Sequence, residues 1–464
     1  MIIGSKTSRN PALRVSVLVT LEQSKAAGGH VKCWERFAEA AKGLAGELDL
    51  TVHFLGETSE THQLADNVRF QYHQPAIGTR SFSFLKQGAG HTDLAPFHFG
   101  LNTALANSDV IHATDFFSFG RTGLSHARRH GKGMVASIHT DTPQFTRVYA
   151  KEIIPRLAGR QLGRWLVDGI DLPDRIAERM SAGIDRHLQS CHHILVSKPE
   201  DYQRLVGLFG PQRLSYLRRG IDRDRFSPRH RDRQWLVTEY GIPADRPVLM
   251  FAGRVDASKS VMVMAQAVRH LLDSGKDVHA LVVGHGAEQS RIAATLGDRV
   301  TMPGNVGQEV LAKLYASADL FLFPSTTEVC PNVVIEAKAS GLPVLVAATH
   351  GGAQFIAAPG VDGLIAADQQ PETWAADAGR LLDHTDERQN ISRAARDWAE
   401  HEWPSWSDVL TKDLMIAWHH AHSLASNTAA NANRPAQVGR ERKTGWSENA
   451  GVKVLRRAVG PAAE

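Results

Sequence analysis

Two glutamates flank the start of a predicted helix in the second half of the chain. Glu328 follows the apolar run 320–323 through a Pro-Ser turn, and Glu336 comes eight residues later. Between them, Pro331 suits the first turn of a helix, whose unpaired N–H groups favour an anion. A diphosphate could lie there, with Glu328 accepting hydrogen bonds from sugar hydroxyls and Glu336 from ribose hydroxyls. Two glutamates at this spacing also arise by chance in charged helices.

A second segment, FAGRVDASKSV, places two cations just after a buried-type strand. Gly253 and Arg254 follow the apolar run 248–252, and Lys259 comes five residues after Arg254. A strand end with a glycine turn and two cations can clamp a diphosphate and neutralise it as a leaving group. The same two cations could equally be solvated loop residues.

Two further positions are weaker candidates. The strand predicted at 278–283 ends in Gly-His-Gly, which begins at Gly284, but tight strand-to-helix turns use this pattern without binding a ligand. No G-x-G-x-x-G opens a first-strand turn, which disfavours a dinucleotide-dependent dehydrogenase. His139 directly follows the predicted strand 134–138, and a histidine at a strand end is more often a packed residue than a ligand-binding one.

The elements around these residues form two series of short apolar runs that alternate with amphipathic stretches. This pattern is typical of parallel sheets covered by helices on both faces. It predicts an α/β protein of two Rossmann-like, doubly wound domains that face a central cleft. The predicted strands of the two series are 14–20, 50–55, 68–72, 110–112, 134–138 and 194–196, then 248–252, 278–283, 299–302, 320–323 and 343–346.

The charged stretch SPRHRDR is the predicted linker between the domains, because it opens with Ser-Pro and lacks an apolar pattern. The last predicted helices are followed by small polar residues without periodicity, which are typical of a disordered tail. The predicted division is residues 1–226 (first domain), 227–234 (linker), 235–405 (second domain), 406–425 (C-terminal helix) and 426–464 (tail).

Composition sets broader bounds. The chain has 464 residues, 42% hydrophobic and 22% charged, as expected for a globular protein, and it has no apolar run long enough to span a membrane. No secretory signal is evident and the three cysteines have no metal-ligand spacing, so a cytoplasmic location is expected. Residues 1–234 hold 32 Lys and Arg against 23 Asp and Glu. That excess could face an anionic partner or could simply be solvated.

In their order and spacing, the segments GRVDASK, VVGHG, ASADLFLF and PSTTEVCPNVVIEAKASGLPVLV resemble the retaining glycosyltransferases of family 4, which have the GT-B fold. Glu328 and Glu336 match that family's E-x7-E motif. In the first half, SIHTDTP resembles a segment of mannosyl-, sulfoquinovosyl- and related glycolipid or glycan transferases, and LRRGIDRDRFSP resembles the family's passage that precedes the linker. The resemblance covers about residues 14–420, and it implies a C-terminal helix that crosses back to the first domain.

The resemblance implies a role for each matched residue. Arg254 and Lys259 would bind the donor diphosphate beside Gly253, Glu328 the donor sugar and Glu336 the ribose. The candidate donor-binding residues also include Gly28 and Gly29, which would close on the phosphates, and Asn332 and Val333, whose N–H groups would support them. His139 would touch the donor sugar near the reacting carbon. The chain departs from the family pattern at Ser258 and Ser260, where glutamate and glycine are usual, and at 329–331.

The implied reaction moves a hexosyl unit from a UDP- or GDP-sugar to a hydroxyl, with retention of configuration. It would need no cofactor and no metal, since two cations and a helix terminus supply positive charge. An Asp-x-Asp at Asp222–Asp224 lies in the passage before the linker and is not expected to bind manganese. Alternatives are a nucleotide-sugar epimerase of the same fold and a non-catalytic nucleotide-sugar-binding protein. Nucleic-acid binding is not expected, because no reader motif is present.

The acceptor is left open between a lipid, a glycan and a small molecule. The stretch 151–166 is basic and amphipathic, with Arg156, Arg160, Arg164 and Trp165 among apolar residues. Such a stretch can lie on an anionic membrane, which would suit a lipid acceptor at the inner membrane surface. It could equally be a surface helix packed on its own domain.

Overall fold

The structure is a computed structural model. It describes residues 11–23, 29–79, 92–138, 146–147, 150–151, 154–155, 158–328, 330–349 and 351–432. Within these residues two α/β domains follow one another along the chain, each built on a mainly parallel sheet. The predicted GT-B architecture is confirmed.

Eight strands form the sheet of the first domain, in the spatial order β3-β4-β2-β1-β5-β6-β7-β8. All neighbours are parallel except β3 and β4. The strands β5, β6 and β7 are buried along their whole length because helices cover both faces. The bounds are β1 Leu13–Glu22, β2 Leu48–Leu55, β3 Thr61–Ala65, β4 Val68–His73, β5 Val110–Ala113, β6 Gly133–Ile138, β7 His193–Val196 and β8 Leu214–Tyr216.

Six parallel strands form the sheet of the second domain, in the order β11-β10-β9-β12-β13-β14. The central strands β9 and β12 are neighbours, so their carboxyl ends lie side by side. The bounds are β9 Val248–Ala252, β10 His279–Val283, β11 Val300–Gly304, β12 Leu320–Phe323, β13 Val344–Ala347 and β14 Leu364–Ala366.

Helices cover both sheets. The α-helices in the described residues are α1 Gly29–Ala41, α2 Phe99–Ala104, α3 Ser118–His130, α4 Arg160–Arg164, α5 Leu172–Gln189, α6 Pro199–Phe209, α7 Arg233–Tyr240, α8 Val261–Asp273, α9 Gln289–Leu296, α10 Gln308–Ser317, α11 Asn332–Ala339, α12 Pro371–Asp383, α13 Thr385–His401, α14 Trp406–Val409 and α15 Met415–Ala432.

Three strands are absent from the sequence prediction: β3, β8 and β14. The strand β3 is a polar edge strand whose residues are largely exposed, so it lacks the apolar run that marks the buried strands. The strands β8 and β14 have three residues each, which is too short for a periodic pattern.

The C-terminal helix returns to the first domain, as the resemblance implies. Helix α15 packs on β6 and β7, and the indole N–H of Trp418 donates to His112 Nδ1 at 3.1 Å. Just before this helix, Asp413 accepts from the guanidinium of Arg218 at 2.6 Å. The side chains of Leu414 and Trp418 are fully buried in the first domain's core.

Two predicted boundaries are corrected. The predicted linker runs to residue 234, but α7 begins at Arg233 because the Asp232 side chain accepts from the N–H of Trp235 at 2.9 Å and caps that helix. The predicted tail begins at residue 426, but α15 continues to Ala432. That segment lacks periodicity, yet it is rich in alanine and extends a helix already begun, so its continuation needs no new nucleus. Residues 433–464 lie outside the described residues.

Candidate active site

The carboxyl end of β9 carries the two predicted cations. Gly253 has φ +146°, and the chain then forms a short 3-10 turn at Ala257–Lys259. Lys259 is buried, whereas the Arg254 side chain is 47% exposed and pairs with Asp256 Oδ2 at 3.0 Å. Lys259 therefore has a fixed place in the wall of the site, while Arg254 can reach toward a ligand.

Glu328 lies on the neighbouring loop after β12, and the structure brings it to Lys259. The Lys259 ammonium donates to Glu328 Oε1. The hydroxyl of Thr327 donates to the carbonyl oxygen of Ser258 at 2.9 Å and joins the two loops a second time. These contacts arise because β9 and β12 are adjacent parallel strands, so both loops leave the same edge of the sheet.

Glu336 lies on α11 and faces the first domain. The Tyr315 hydroxyl donates to Glu336 Oε2 at 3.5 Å, and the nearby cations are Arg36 of α1 and Arg225. Burial raises the pKa of Glu336 to about 7, and the two arginines oppose that rise. Glu336, the residue predicted to bind the ribose, is therefore present in both its charged and its neutral form near neutral pH.

The N-terminus of α11 lies between the two glutamates in the sequence. Pro331 occupies the N-cap position, one residue before the helix rather than inside it, and no side chain caps the helix. The side-chain Oδ1 of Asn332 is buried and has no hydrogen-bond partner in the described part of the chain. Asn332 and Val333 thus begin a helix whose first N–H groups can donate hydrogen bonds to an anionic ligand.

Of the three candidates from the first domain, the structure describes only Gly29. Gly29 is the first residue of α1 and is exposed, and a Cβ added there would meet nothing within 4 Å. Steric crowding therefore gives no reason for a glycine at this position. Gly28 and His139 lie outside the described residues.

Arg219 is a buried residue that the sequence reasoning missed. It donates to Cys33 Sγ on α1 and also interacts with Cys330, which directly precedes Pro331. Burial raises the pKa of Cys330 to about 11, so this thiol is protonated at neutral pH. The sequence signal for Arg219 is its place in LRRGID, the passage before the linker. There it looks like one of several surface arginines.

Arg36 and Tyr315, which lie around Glu336, were also missed. Arg36 reads as a solvated residue of an amphipathic helix, and Tyr315 reads as a core residue. Only the tertiary structure brings them to one carboxylate.

The Gly-His-Gly turn after β10 has a packing role. A Cβ at Gly284 would lie 1.9 Å from the carbonyl oxygen of Gly253, and one at Gly286 would lie 2.2 Å from that of Val255. The N–H of Val255 donates to the His285 carbonyl oxygen at 3.0 Å. These glycines let the turn that carries Arg254 lie directly against the next loop.

The Asp-x-Asp carboxylates are occupied by arginines. Asp222 pairs with Arg225 at 3.1 Å, and Asp224 pairs with Arg229 at 3.5 Å. Among the residues that the structure describes, no group of three or more His, Cys, Asp or Glu side chains is arranged to hold a metal ion.

The predicted basic stretch is described only in part. Arg156 lies outside the described residues, as does the side chain of Arg160. Helix α4 ends at Arg164, and Leu162 and Trp165 are exposed by more than half. In the described part of the chain, no helix is both long and apolar enough to cross a bilayer.

The family model described as "Glycosyl transferases group 1" matches residues 232–398. The chain is 29% identical over 360 residues to a D-inositol 3-phosphate glycosyltransferase of Nocardia farcinica, with 74% of each chain covered.

Among solved structures, sucrose-phosphate synthase from Thermosynechococcus elongatus matches with a TM-score of 0.63 and 17% identity. The match covers 90% of this chain and 100% of that one. The Anabaena protein HepE in complex with UDP and glucose matches with a TM-score of 0.61 and 16% identity over the same shares. These structural likenesses concern the fold.

Proposed function

Because the chain is a glycosyltransferase of the family 4 type with the GT-B fold, we propose that it moves a hexosyl unit from a UDP- or GDP-sugar to a hydroxyl with retention of configuration. The observation that carries the proposal is the meeting of Lys259 and Glu328 beside the start of α11. A cation and a sugar-binding carboxylate there suit the two halves of a nucleotide sugar.

In the proposed complex the diphosphate lies at the N–H groups of Asn332 and Val333, gripped by Arg254 and Lys259. Glu328 accepts hydrogen bonds from the sugar hydroxyls, and Glu336 accepts them from the ribose. The roles proposed for Gly28, Gly29 and His139 rest on their places in the sequence.

In the proposed reaction the bond between the anomeric carbon and the phosphate oxygen breaks, and a bond forms from that carbon to the acceptor oxygen on the same face. The leaving phosphate oxygen takes the acceptor's proton. Arg254 and Lys259 stabilise the charge that grows on the phosphate, which is the task a metal ion would otherwise perform. Closure of the two domains would exclude water and limit hydrolysis.

The first experiment is a thermal-shift screen with UDP-, GDP- and ADP-sugars, followed by hydrolysis and transfer assays of the best binder in the presence of EDTA. The name of the Nocardia relative makes D-inositol 3-phosphate the first acceptor to test. Selective stabilisation by NAD, or activity lost on chelation, would contradict the proposal.

The leaving-group role is tested by Arg254→Ala. We expect kcat at saturating donor to fall about 100-fold, since removal of one charge-stabilising donor typically has this effect. Arg269→Ala is the matched control, because this arginine is exposed on α8 and pairs only with Asp273 among the described residues. Unchanged turnover in Arg254→Ala would make the assignment wrong.

We further propose a cytoplasmic enzyme that contacts anionic membrane through the basic stretch 151–166. The support is the exposure of Leu162 and Trp165 next to Arg164. Flotation with liposomes that contain or lack anionic lipid tests the membrane contact. Binding that does not depend on anionic lipid would contradict it.

A further inference from the structure

Lys338 is a buried cation on α11, two residues after Glu336. Its side chain is 0% exposed. The ammonium lies 2.5 Å from Asp362 Oδ2, donates to the carbonyl oxygen of Phe355 at 2.6 Å and lies 3.6 Å from the centre of the Trp398 ring. A buried lysine is costly unless it is paired and hydrogen-bonded, so these contacts hold its charge in place.

Asp362 extends this anchor into the loop that follows β13. Its Oδ1 accepts from the N–H of Ala358 at 2.8 Å and its Oδ2 from that of Ala357 at 3.0 Å. Lys338 thus ties this loop to α11 at two points, the Phe355 carbonyl and the Asp362 carboxylate. Because both partners are buried, the tie is shielded from solvent and salt.

The anchored loop reaches Glu328. The N–H of Gly351 donates to the carbonyl oxygen of Glu328 at 3.0 Å, and the Gln354 side chain donates to the Gly351 carbonyl at 2.8 Å. The N–H of Phe355 donates to the carbonyl oxygen of Gly352 at 3.2 Å. Hydrogen bonds, together with the peptide link between Gly351 and Gly352, therefore connect the Lys338 ammonium to the backbone of Glu328.

We propose that Lys338 and Asp362 are positioning residues that orient Glu328 toward the sugar of the donor. The inference rests on the proposed function, in which Glu328 binds the sugar hydroxyls. The carboxylate of Glu328 pairs with Lys259, so the anchored loop holds the backbone of Glu328 and the cation turn holds its side chain. The pair is expected to govern recognition of the sugar and not of the nucleotide.

The test is the double variant Lys338→Met/Asp362→Asn, which removes both charges and leaves no unpaired buried ion. Titration calorimetry measures the dissociation constants for UDP-glucose and UDP, or for GDP-mannose and GDP if the screen selects a GDP-sugar. We expect the preference for the nucleotide sugar over the nucleotide to fall about tenfold, the worth of a well-placed hydrogen bond to a charged group. The affinity for the nucleotide alone should stay within about twofold.

Glu328→Gln should lower the same preference. If Lys338 acts through Glu328, the double variant should then cause no further loss in the Glu328→Gln background. The matched control is Arg218→Met/Asp413→Asn, which removes an ion pair with a buried aspartate in the first domain. It should lower the melting temperature and leave the preference unchanged.

Gln354→Met is a milder second variant, since it cuts the link from Gln354 to the Gly351 carbonyl and leaves both buried charges in place. It should also lower the preference for the nucleotide sugar over the nucleotide. If the double variant does not fold, this variant tests the positioning role.

An unchanged preference in Glu328→Gln would contradict the proposed function of that residue. Suppose instead that Glu328→Gln lowers the preference. If the loop variants then keep the normal preference, or if the losses of Glu328→Gln and of the double variant multiply when combined, only the positioning role is contradicted. If no nucleotide sugar binds, the proposed function and the inference both fail.

Discussion

Ser260 is a residue whose conformation conflicts with its type. It has φ +51° and ψ +29°, the left-handed region that glycine occupies without strain, and glycine is usual here in the family that the chain resembles. It lies directly after Lys259, so the turn that presents the cation carries the strain.

We therefore expect Ser260→Gly to raise the free energy of unfolding by about 1 kcal/mol, because glycine removes the steric cost of this backbone conformation. Denaturant unfolding measures the change. Ala257→Gly is the control in the same turn, where φ is ordinary, and it should lower stability instead. Equal or lower stability of Ser260→Gly would contradict the strain.

Glu336 allows a second prediction at this scale. Since its pKa is about 7 in the donor-free protein, the ionised fraction rises from about a tenth at pH 6 to about nine tenths at pH 8. A ribose-binding carboxylate acts in the ionised form, so donor affinity should rise about tenfold over this range.

Calorimetric titration of the best-binding nucleotide sugar at several pH values measures this rise. Glu336→Gln should bind more weakly at pH 8 and lose this pH dependence. The same profile in the wild type and the variant would show that another group titrates.

At the scale of elements, the site is formed where the loops after β9 and β12 meet at the carboxyl edge of the second sheet, and the turn after β10 supports the first of them. The turn after β9 carries Arg254 and Lys259, and it lies against the turn after β10 through Gly284 and Gly286. The Gly-x-Gly turn thus packs directly against the turn that carries the two cations.

Gly284→Ala should accordingly destabilise the protein and disturb the cation turn. Its φ is +128° and the new Cβ would lie 1.9 Å from a backbone oxygen, so the backbone must move. Gly304→Ala is the control, because Gly304 also has a positive φ but has open space around it. We expect Gly284→Ala to cost about 1–3 kcal/mol more in denaturant unfolding. Equal losses would mean that the close approach does not matter.

At the scale of the whole molecule, the first domain contains buried histidines that must stay neutral. His112 hydrogen-bonds to Ser137 at 2.9 Å and accepts from the Trp418 indole of the returning helix, and burial lowers its pKa to about 3. Burial likewise lowers the pKa of His73 and of His193 to about 4.

This arrangement predicts an acid-sensitive fold. These histidines take up protons in the unfolded chain near pH 6.5 but not in the native protein, so their contribution to stability is full above pH 6.5 and is lost as the pH falls. As the pH falls from 6 to 5, each of these histidines should reduce the free energy of unfolding by about 1 kcal/mol, and the slope levels off as the pH approaches the native pKa.

Denaturant unfolding of His112→Asn measures the share of one histidine, since this variant should lose one such increment of slope. The control His401→Asn alters an exposed histidine and should keep the wild-type slope. A slope unchanged by His112→Asn would contradict this account.

The sequence by itself determined the fold class and the order of the central strands along the chain. Buried strands such as β9 and β12 are continuous apolar runs with turn residues at their ends, and that signal is local. The resemblance of the cation and glutamate segments follows from residue order, which needs no coordinates. The polar edge strand β3 and the three-residue strands β8 and β14 were missed, because they carry no such local pattern.

Only the tertiary structure decided which side chains meet. Lys259 and Glu328 lie 69 residues apart in the chain and pair because their strands are neighbours. Arg36 approaches Glu336 from the other domain, and Lys338 finds Asp362 and Trp398 through packing. Burial, and with it the shifted pKa values and the anchored loop, depends on contacts between distant segments, which no local pattern encodes.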